Sequence, residues 1–224
     1  MNRLQNFNFP DEHILENSVL TVEQQTKLKP ADVLKILKEG NRAFADDKSR
    51  IRKNMDSVKN ASFVQNPKAA IVSCLDTCIP VEDIFQRGPG DFFVTRVTGN
   101  IINKDILDSL EYACKVSGAK LIMVLGHEYC QAITSAIKGI KQGNVSTLFS
   151  KIKPAVINTN RYFKGTQSIQ NINYLTAVCY ENVRLGIRAI RQKSPLLRKM
   201  EKNGEIIITG GIYDMELAEV DFLT

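Results

Sequence analysis

Two short apolar runs, each ending directly in a cluster of metal-ligating side chains, constrain this chain more than any other feature of its sequence. The first, residues 69–73 (AAIVS), stops at Cys74; the second, residues 120–125 (KLIMVL), passes through Gly126 into His127. Both are too short for a helix. A run that is apolar at every position, rather than at alternate ones, is covered on both faces, as a parallel strand between layers of helix is. Residues 91–96 (DFFVTR) follow the turn formers Gly88, Pro89 and Gly90 and read as a further strand.

Between these strands the period changes to that of a helix. From Pro30, where a helix can start, Val33, Leu34, Leu37 and Phe44 recur at roughly helical spacing up to the charged stretch 46–53. Residues 103–116 place Ile106, Leu107, Leu110, Ala113 and Cys114 on one face, and Gly118 stops them as a C-cap would. Two later helical stretches cover 145–162, with a break expected at Pro154, and 171–193, ending before Pro195. Residues 205–212 (EIIITGGI) and 217–222 form a closing hairpin through 213–216.

Strands separated by helices imply an α/β domain: a mainly parallel sheet flanked by helices, with an N-terminal helical arm and a C-terminal hairpin. Residues 1–29 are polar, lack a sustained period and read as an arm that rests on a partner surface. Residues 30–224 read as a single domain, with no repeat, low-complexity tract or linker to divide it.

A hydrophobic content of 43% excludes a disordered chain. The net charge of +6 arises from 30 basic and 24 acidic residues scattered along the chain, so no nucleic-acid footprint is expected. No run of 18 apolar residues occurs, and the first thirty residues lack the apolar core of a secretory signal, so the chain is expected off the membrane and in the cytoplasm. Five cysteines, at positions 74, 78, 114, 130 and 179, favour thiols and metal ligands over a disulfide framework in such a compartment.

The chemistry gathers in Cys74-Leu75-Asp76-Thr77-Cys78 and in His127-Glu128-Tyr129-Cys130. The carboxyl ends of parallel strands converge on one crevice, so residues more than fifty positions apart can meet there. Thiolate and imidazole together suit zinc; an H-x-x-C pair supplies two ligands from one turn, and Cys74 a third. Ordinary buried thiols and a core histidine are the alternative, which spacing alone leaves open. The chain has only two histidines, however, and one of them sits three residues from a cysteine at the end of an apolar run.

The run 74–80 (CLDTCIP) is similar to a C-x-D-S-R-V-P segment, and 124–130 (VLGHEYC) to V-L-G-H-x-x-C. Between them 88–96 (GPGDFFVTR) is similar to G-P-G-D-x-F-V-x-R, followed by Gly99-Asn100, and 109–113 (SLEYA) to S-L-E-Y-A. Further similarity lies in 37–41, 181–183 and 210–214, so that it extends over roughly residues 30–223. On these motifs the chain resembles the β-class carbonic anhydrases. The resemblance implies reversible hydration of carbon dioxide to bicarbonate, with Zn2+ held by Cys74, His127 and Cys130. Asp76 is implied either to orient the water on the metal or to become its fourth ligand. Gln65, Phe93 and Tyr112 are implied to line a small carbon dioxide pocket completed across a dimer interface, with core or interface packing as their other role. A homodimer or a higher even-numbered homo-oligomer is therefore expected.

One departure from that pattern carries chemical weight: Cys78 stands where the family has an arginine that pairs with the aspartate and holds it off the metal. Catalytic zinc needs an open position for water. Without the guanidinium Asp76 is expected to bind zinc itself; alternatively Cys78 becomes the fourth ligand through C-x3-C spacing, or it is a small residue with no role. Thr98, Val97 and Gln131 also replace residues typical of the family. Two functions follow: a carbonic anhydrase of reduced activity, or a catalytically silent zinc-binding relative whose closed site serves structure or binding.

Overall fold

The computed structural model describes residues 20–46 and 65–223. Five strands form one sheet: β1 (Ala69–Ser73), β2 (Phe92–Arg96), β3 (Leu121–His127), β4 (Ile207–Tyr213) and β5 (Val220–Leu223), in the order β2-β1-β3-β4-β5. The first four run parallel, and β5 returns antiparallel to β4. Every residue of β1 and β3 is buried. Uninterrupted apolar patterning thus marks the two strands at the centre of the fold, because only they are covered on both faces along their length.

Alternate residues of the central strands feed two cores. Ala69, Ile71, Leu121, Met123 and Leu125 face α1 (Val22–Lys27), α2 (Pro30–Ala45) and α3 (Val81–Ile84), packing with Leu28, Leu37, Ile84 and Phe85. Ala70, Val72, Ile122 and Val124 face the other layer. That layer comprises α4 (Lys104–Glu111), α5 (Gln131–Lys138), α6 (Val145–Tyr162), α7 (Ile172–Lys193) and α8 (Pro195–Lys202). The architecture is the α/β arrangement expected, with the C-terminal hairpin in place; β1 matches the patterning at both ends, and the other strand bounds differ from it by at most three residues.

Four local differences have physical causes. Residues 20–29 rest on their own chain: Leu20 and Leu28 are buried, and the Gln25 amide donates to the carbonyls of Pro67 and Ser117 at 2.8 and 2.7 Å. A Thr21 capping box starts α1, a signal too short to register as a period. Residues 1–19 of the expected arm, like part of the charged stretch 46–53, lie outside the described residues. Pro154 does not break α6, since Ile152, Ala155 and Thr159 on either side of it are buried and hold the axis through the missing hydrogen bond. The helix over 103–116 changes at Tyr112 from α-helical to a π-helical turn, ending where Gly118 takes a φ of +78°. The eight-residue helices α5 and α8 are too short to show a clear period.

A buried ion pair locks the start of the sheet. Lys68 Nζ bonds Asp91 Oδ1, with side-chain exposures of 1% and 5%. Asp91 Oδ2 accepts from the Gly88 N–H at 2.9 Å, and the Lys68 N–H donates to the Asp91 carbonyl at 2.7 Å. The turn before β2 is thereby tied to the residue before β1. Removing one partner strands a buried charge, whereas removing both leaves an apolar pair. Lys68→Met is therefore expected to cost about 3–5 kcal/mol in denaturant unfolding, and Lys68→Met/Asp91→Leu to recover a large part of it. Equal losses in the single and double variants would show that the charge pairing is not what matters there.

Candidate metal centre

Backbone geometry assembles the site. Cys74 follows β1 directly, and its Sγ accepts from the Gly99 N–H at 3.3 Å. Gly99 lies in the turn Thr98–Asn100 with a φ of +69°, and a β-carbon there would stand 2.5 Å from Ile152 Cδ1, so the position admits only glycine. The Asn182 amide of α7 donates to the Gly99 carbonyl at 3.0 Å and fixes the turn. His127 ends β3. Two residues on, Tyr129 adopts a left-handed φ of +52°, which folds the chain back so that Cys130 caps α5. A non-glycine residue held there costs energy, and the Tyr129 hydroxyl, donating to Glu216 Oε1 at 2.6 Å, helps hold it.

These turns bring one donor atom each from Cys74, His127 and Cys130 within 4.8 Å of one another, all buried. The two sulfurs are 3.9 Å apart. His127 Nδ1 lies 2.7 Å from the Glu128 carbonyl, and since a carbonyl can only accept, Nδ1 carries the proton. That leaves Nε2 as an acceptor, and it is buried with no hydrogen-bond partner among the described residues. A buried polar atom left unpaired costs about 1–3 kcal/mol, so an orphan facing two sulfurs calls for a cation. Two sulfurs and one imidazole nitrogen with its second nitrogen fixed on a carbonyl make the donor set that zinc prefers.

The thiols differ sharply in character. The hydrogen bond from Cys130 lowers Cys74 to about 4 against the opposing effect of burial, helped by the backbone of Asp76 and Gly99. The same hydrogen bond, followed by burial, raises Cys130, so Cys74 is the more readily ionised of the two. Burial pushes Cys114 and Cys179 up to about 12, as for plain core residues. Cys78 is exposed.

Asp76 is not one of the three clustered donors. Its Oδ1 accepts from the Cys78 N–H at 3.2 Å, and among the described residues no basic side chain pairs with its carboxylate. Arg96 is close, but its guanidinium donates to the carbonyls of Cys74, at 3.1 Å, and of Asp76. It holds the backbone of the loop and leaves the carboxylate free. Gln65, Phe93 and Tyr112 meet in one cleft of about 510 Å³ between β2 and α4. The two rings lie 6.4 Å apart, and Tyr112 is 56% exposed. The metal donors do not line that cleft. The supporting roles of Asn182, Arg96 and Tyr129 were not readable from the sequence, because each acts through a contact with a distant element or through a backbone angle.

Comparison with known proteins agrees with this geometry. The family model described as carbonic anhydrase matches residues 69–220. Carbonic anhydrase 2 of Mycobacterium tuberculosis is 28% identical over 193 residues, covering 84% of this chain and 89% of that protein. The carbonic anhydrase of Mycolicibacterium smegmatis is 31% identical over 134 residues, covering 57% of this chain and 65% of that protein. A tetrameric β-carbonic anhydrase from Sordaria macrospora superposes with a TM-score of 0.68 at 22% identity, over 86% of this chain and 97% of that one. The Coccomyxa β-carbonic anhydrase in complex with acetazolamide gives 0.67 at 22% identity, over 83% of each chain. With the strand-end Cys/His/Cys cluster set in this parallel sheet, the match places the chain in the β-class carbonic anhydrase family.

Proposed function

We propose that this chain binds one zinc ion through Cys74, His127 and Cys130 and hydrates carbon dioxide reversibly to bicarbonate, at a rate held low by Asp76. The observation that carries the reading is the buried, unpartnered Nε2 of His127 facing two sulfurs. When bound, zinc lowers the pKa of a water that it holds from about 15.7 to about 7, so that hydroxide is available at neutral pH. Cys74 and Cys130 supply thiolates, and the Glu128 carbonyl orients the His127 ring. Asp76 would orient that water. The Gln65 amide donates to a substrate oxygen, and Phe93 with Tyr112 forms an apolar wall suited to a nonpolar gas. The absence of a membrane-length apolar helix among the described residues and the five free thiols fit a reducing, cytoplasmic setting.

A second reading has its own observation: among the described residues no basic side chain holds the Asp76 carboxylate. Its bond to the Cys78 N–H is a single one, worth about 0.5–1.5 kcal/mol, which a dication outbids. With Asp76 as fourth ligand the centre is closed and the protein is a silent zinc-binding relative. Cys78, exposed on the same loop, is the other candidate to close it.

Three outcomes are expected. Purified protein carries about one zinc per chain by elemental analysis; chelation lowers stability by about 3 kcal/mol relative to free zinc at a hundredfold excess over its Kd. His127→Ala abolishes both the metal and that difference, and an unchanged melting temperature on metal removal would count against the whole reading. In stopped-flow hydration assays Cys78→Arg, by giving Asp76 a bidentate partner, raises kcat/KM about tenfold or more, equivalent to about 1.4 kcal/mol. Asp76→Asn in the Cys78 background brings no gain. Unmodified protein working at about 10⁷ M⁻¹s⁻¹ would overturn the closed-site inference. Finally, the half-open Gln65 cleft, with Tyr112 and Val116 exposed beside it, favours completion by a second copy, so sedimentation at micromolar concentration should give a dimer or a larger even-numbered species. A monomer would argue against an intact substrate pocket.

A further inference from the structure

A second cleft, of about 550 Å³ and lined by none of the metal donors, lies among the Thr98–Asn100 turn, the start of α4, α6 and α7. Four of its lining side chains are cationic, Lys104, Lys151, Arg188 and Lys193, and no lining residue is acidic. Two neighbouring carboxylates are engaged, while Asp105 stands in the first turn of α4. Asp108 pairs with Lys104, and Glu181 bonds both Arg188, at 2.6 Å, and the Asn158 amide, at 2.9 Å. Among the described residues Lys151 and Lys193 have no hydrogen-bonding or ionic partner.

Independent of that charge is an orphan donor in the wall of the cleft. Asn100 is 3% exposed, adopts a left-handed φ of +43°, and its Nδ2 is buried without an acceptor among the described residues. Such a donor costs about 1–3 kcal/mol unless something supplies the acceptor. The first turn of α4 adds to it. The Asn103 side chain caps the Ile106 N–H and leaves the earliest amides of the helix at its positive end. Cations, a helix start and an unmet amide donor all demand a ligand that is negative and accepts hydrogen bonds. Ile102 and Leu185 give the same cleft an apolar side.

We propose that this cleft binds a small organic oxyanion, a carboxylate or phosphate, with its charge between Lys151, Lys193 and Arg188, an oxygen toward Asn100 Nδ2, and its carbon stem against Ile102 and Leu185. The site is separate from the metal centre and is joined to it only through the turn whose Gly99 N–H bonds Cys74.

Isothermal titration calorimetry on the full-length, metal-loaded protein tests this, using citrate and inorganic phosphate as separate probes at ionic strength matched with chloride. Saturable binding of citrate alone identifies a carboxylate site, and of phosphate alone a phosphate site. Lys151 and Lys193 are exposed, so Lys151→Ala/Lys193→Ala leaves fold and zinc content unchanged, and it should weaken the bound probe by about a hundredfold, near tenfold per charge. Asn100→Ala should weaken it further with no loss of metal. Failure of both probes to bind saturably, or equal affinity in the double lysine variant, overturns the proposal.

Discussion

The parallel pairing of β1 with β3 is the constraint on which the centre depends. The two strands share a constant offset, Ala69 against Leu121 through Val72 against Val124. Continued two residues, that register sets Cys74 beside Gly126, one residue short of His127. A single ladder therefore brings together groups more than fifty residues apart in sequence, and it does so at the carboxyl edge, where the chain leaves the sheet and side chains are released from alternation. An antiparallel partner at the same place would have sent the two clusters to opposite ends of the sheet.

Pairing alone brings the ligands near one another; the surrounding shell aims them. Gly99 has no side chain because Ile152 occupies the space, and its amide supplies a hydrogen bond to a buried sulfur that would otherwise be poorly solvated. Asn182 holds that turn from α7, and α7 itself lies close on the sheet because Gly126 and Gly210 present no β-carbon to Val183. On the other side, Arg96 grips the carbonyls of the Cys74–Asp76 loop. The guanidinium so spent is directed at backbone, which restrains the path of the loop and leaves the Asp76 carboxylate to its own devices. The half-buried Asp76 keeps its bond to the Cys78 N–H on that loop.

A large part of this was legible in the chain itself. The unbroken apolar runs at 69–73 and 120–125 mark buried parallel strands because no other short element has both faces covered. The Pro30 start, the Asn171 cap and the hairpin near the C-terminus follow from local rules of backbone geometry. The sulfur and imidazole side chains at the ends of those runs are likewise readable locally, while their meeting in one cluster is not. Where a local rule was overridden, at Pro154, the burial of Ile152, Ala155 and Thr159 on either side of it offset one lost hydrogen bond.

The sequence by itself therefore determined the class of fold, the order of its strands and longer helices, and which side chains stand at the ends of the two central strands, because those depend on residue type, period and covalent spacing. Only the tertiary structure decided which nitrogen of His127 faces the two sulfurs, that Arg96 serves the backbone and not Asp76, and that Lys151 of α6 and Lys193 of α7 share a cleft with Asn100. Each of these turns on distances between segments remote in the chain and on burial. Neither exists until the sheet has formed and the helices have closed over it.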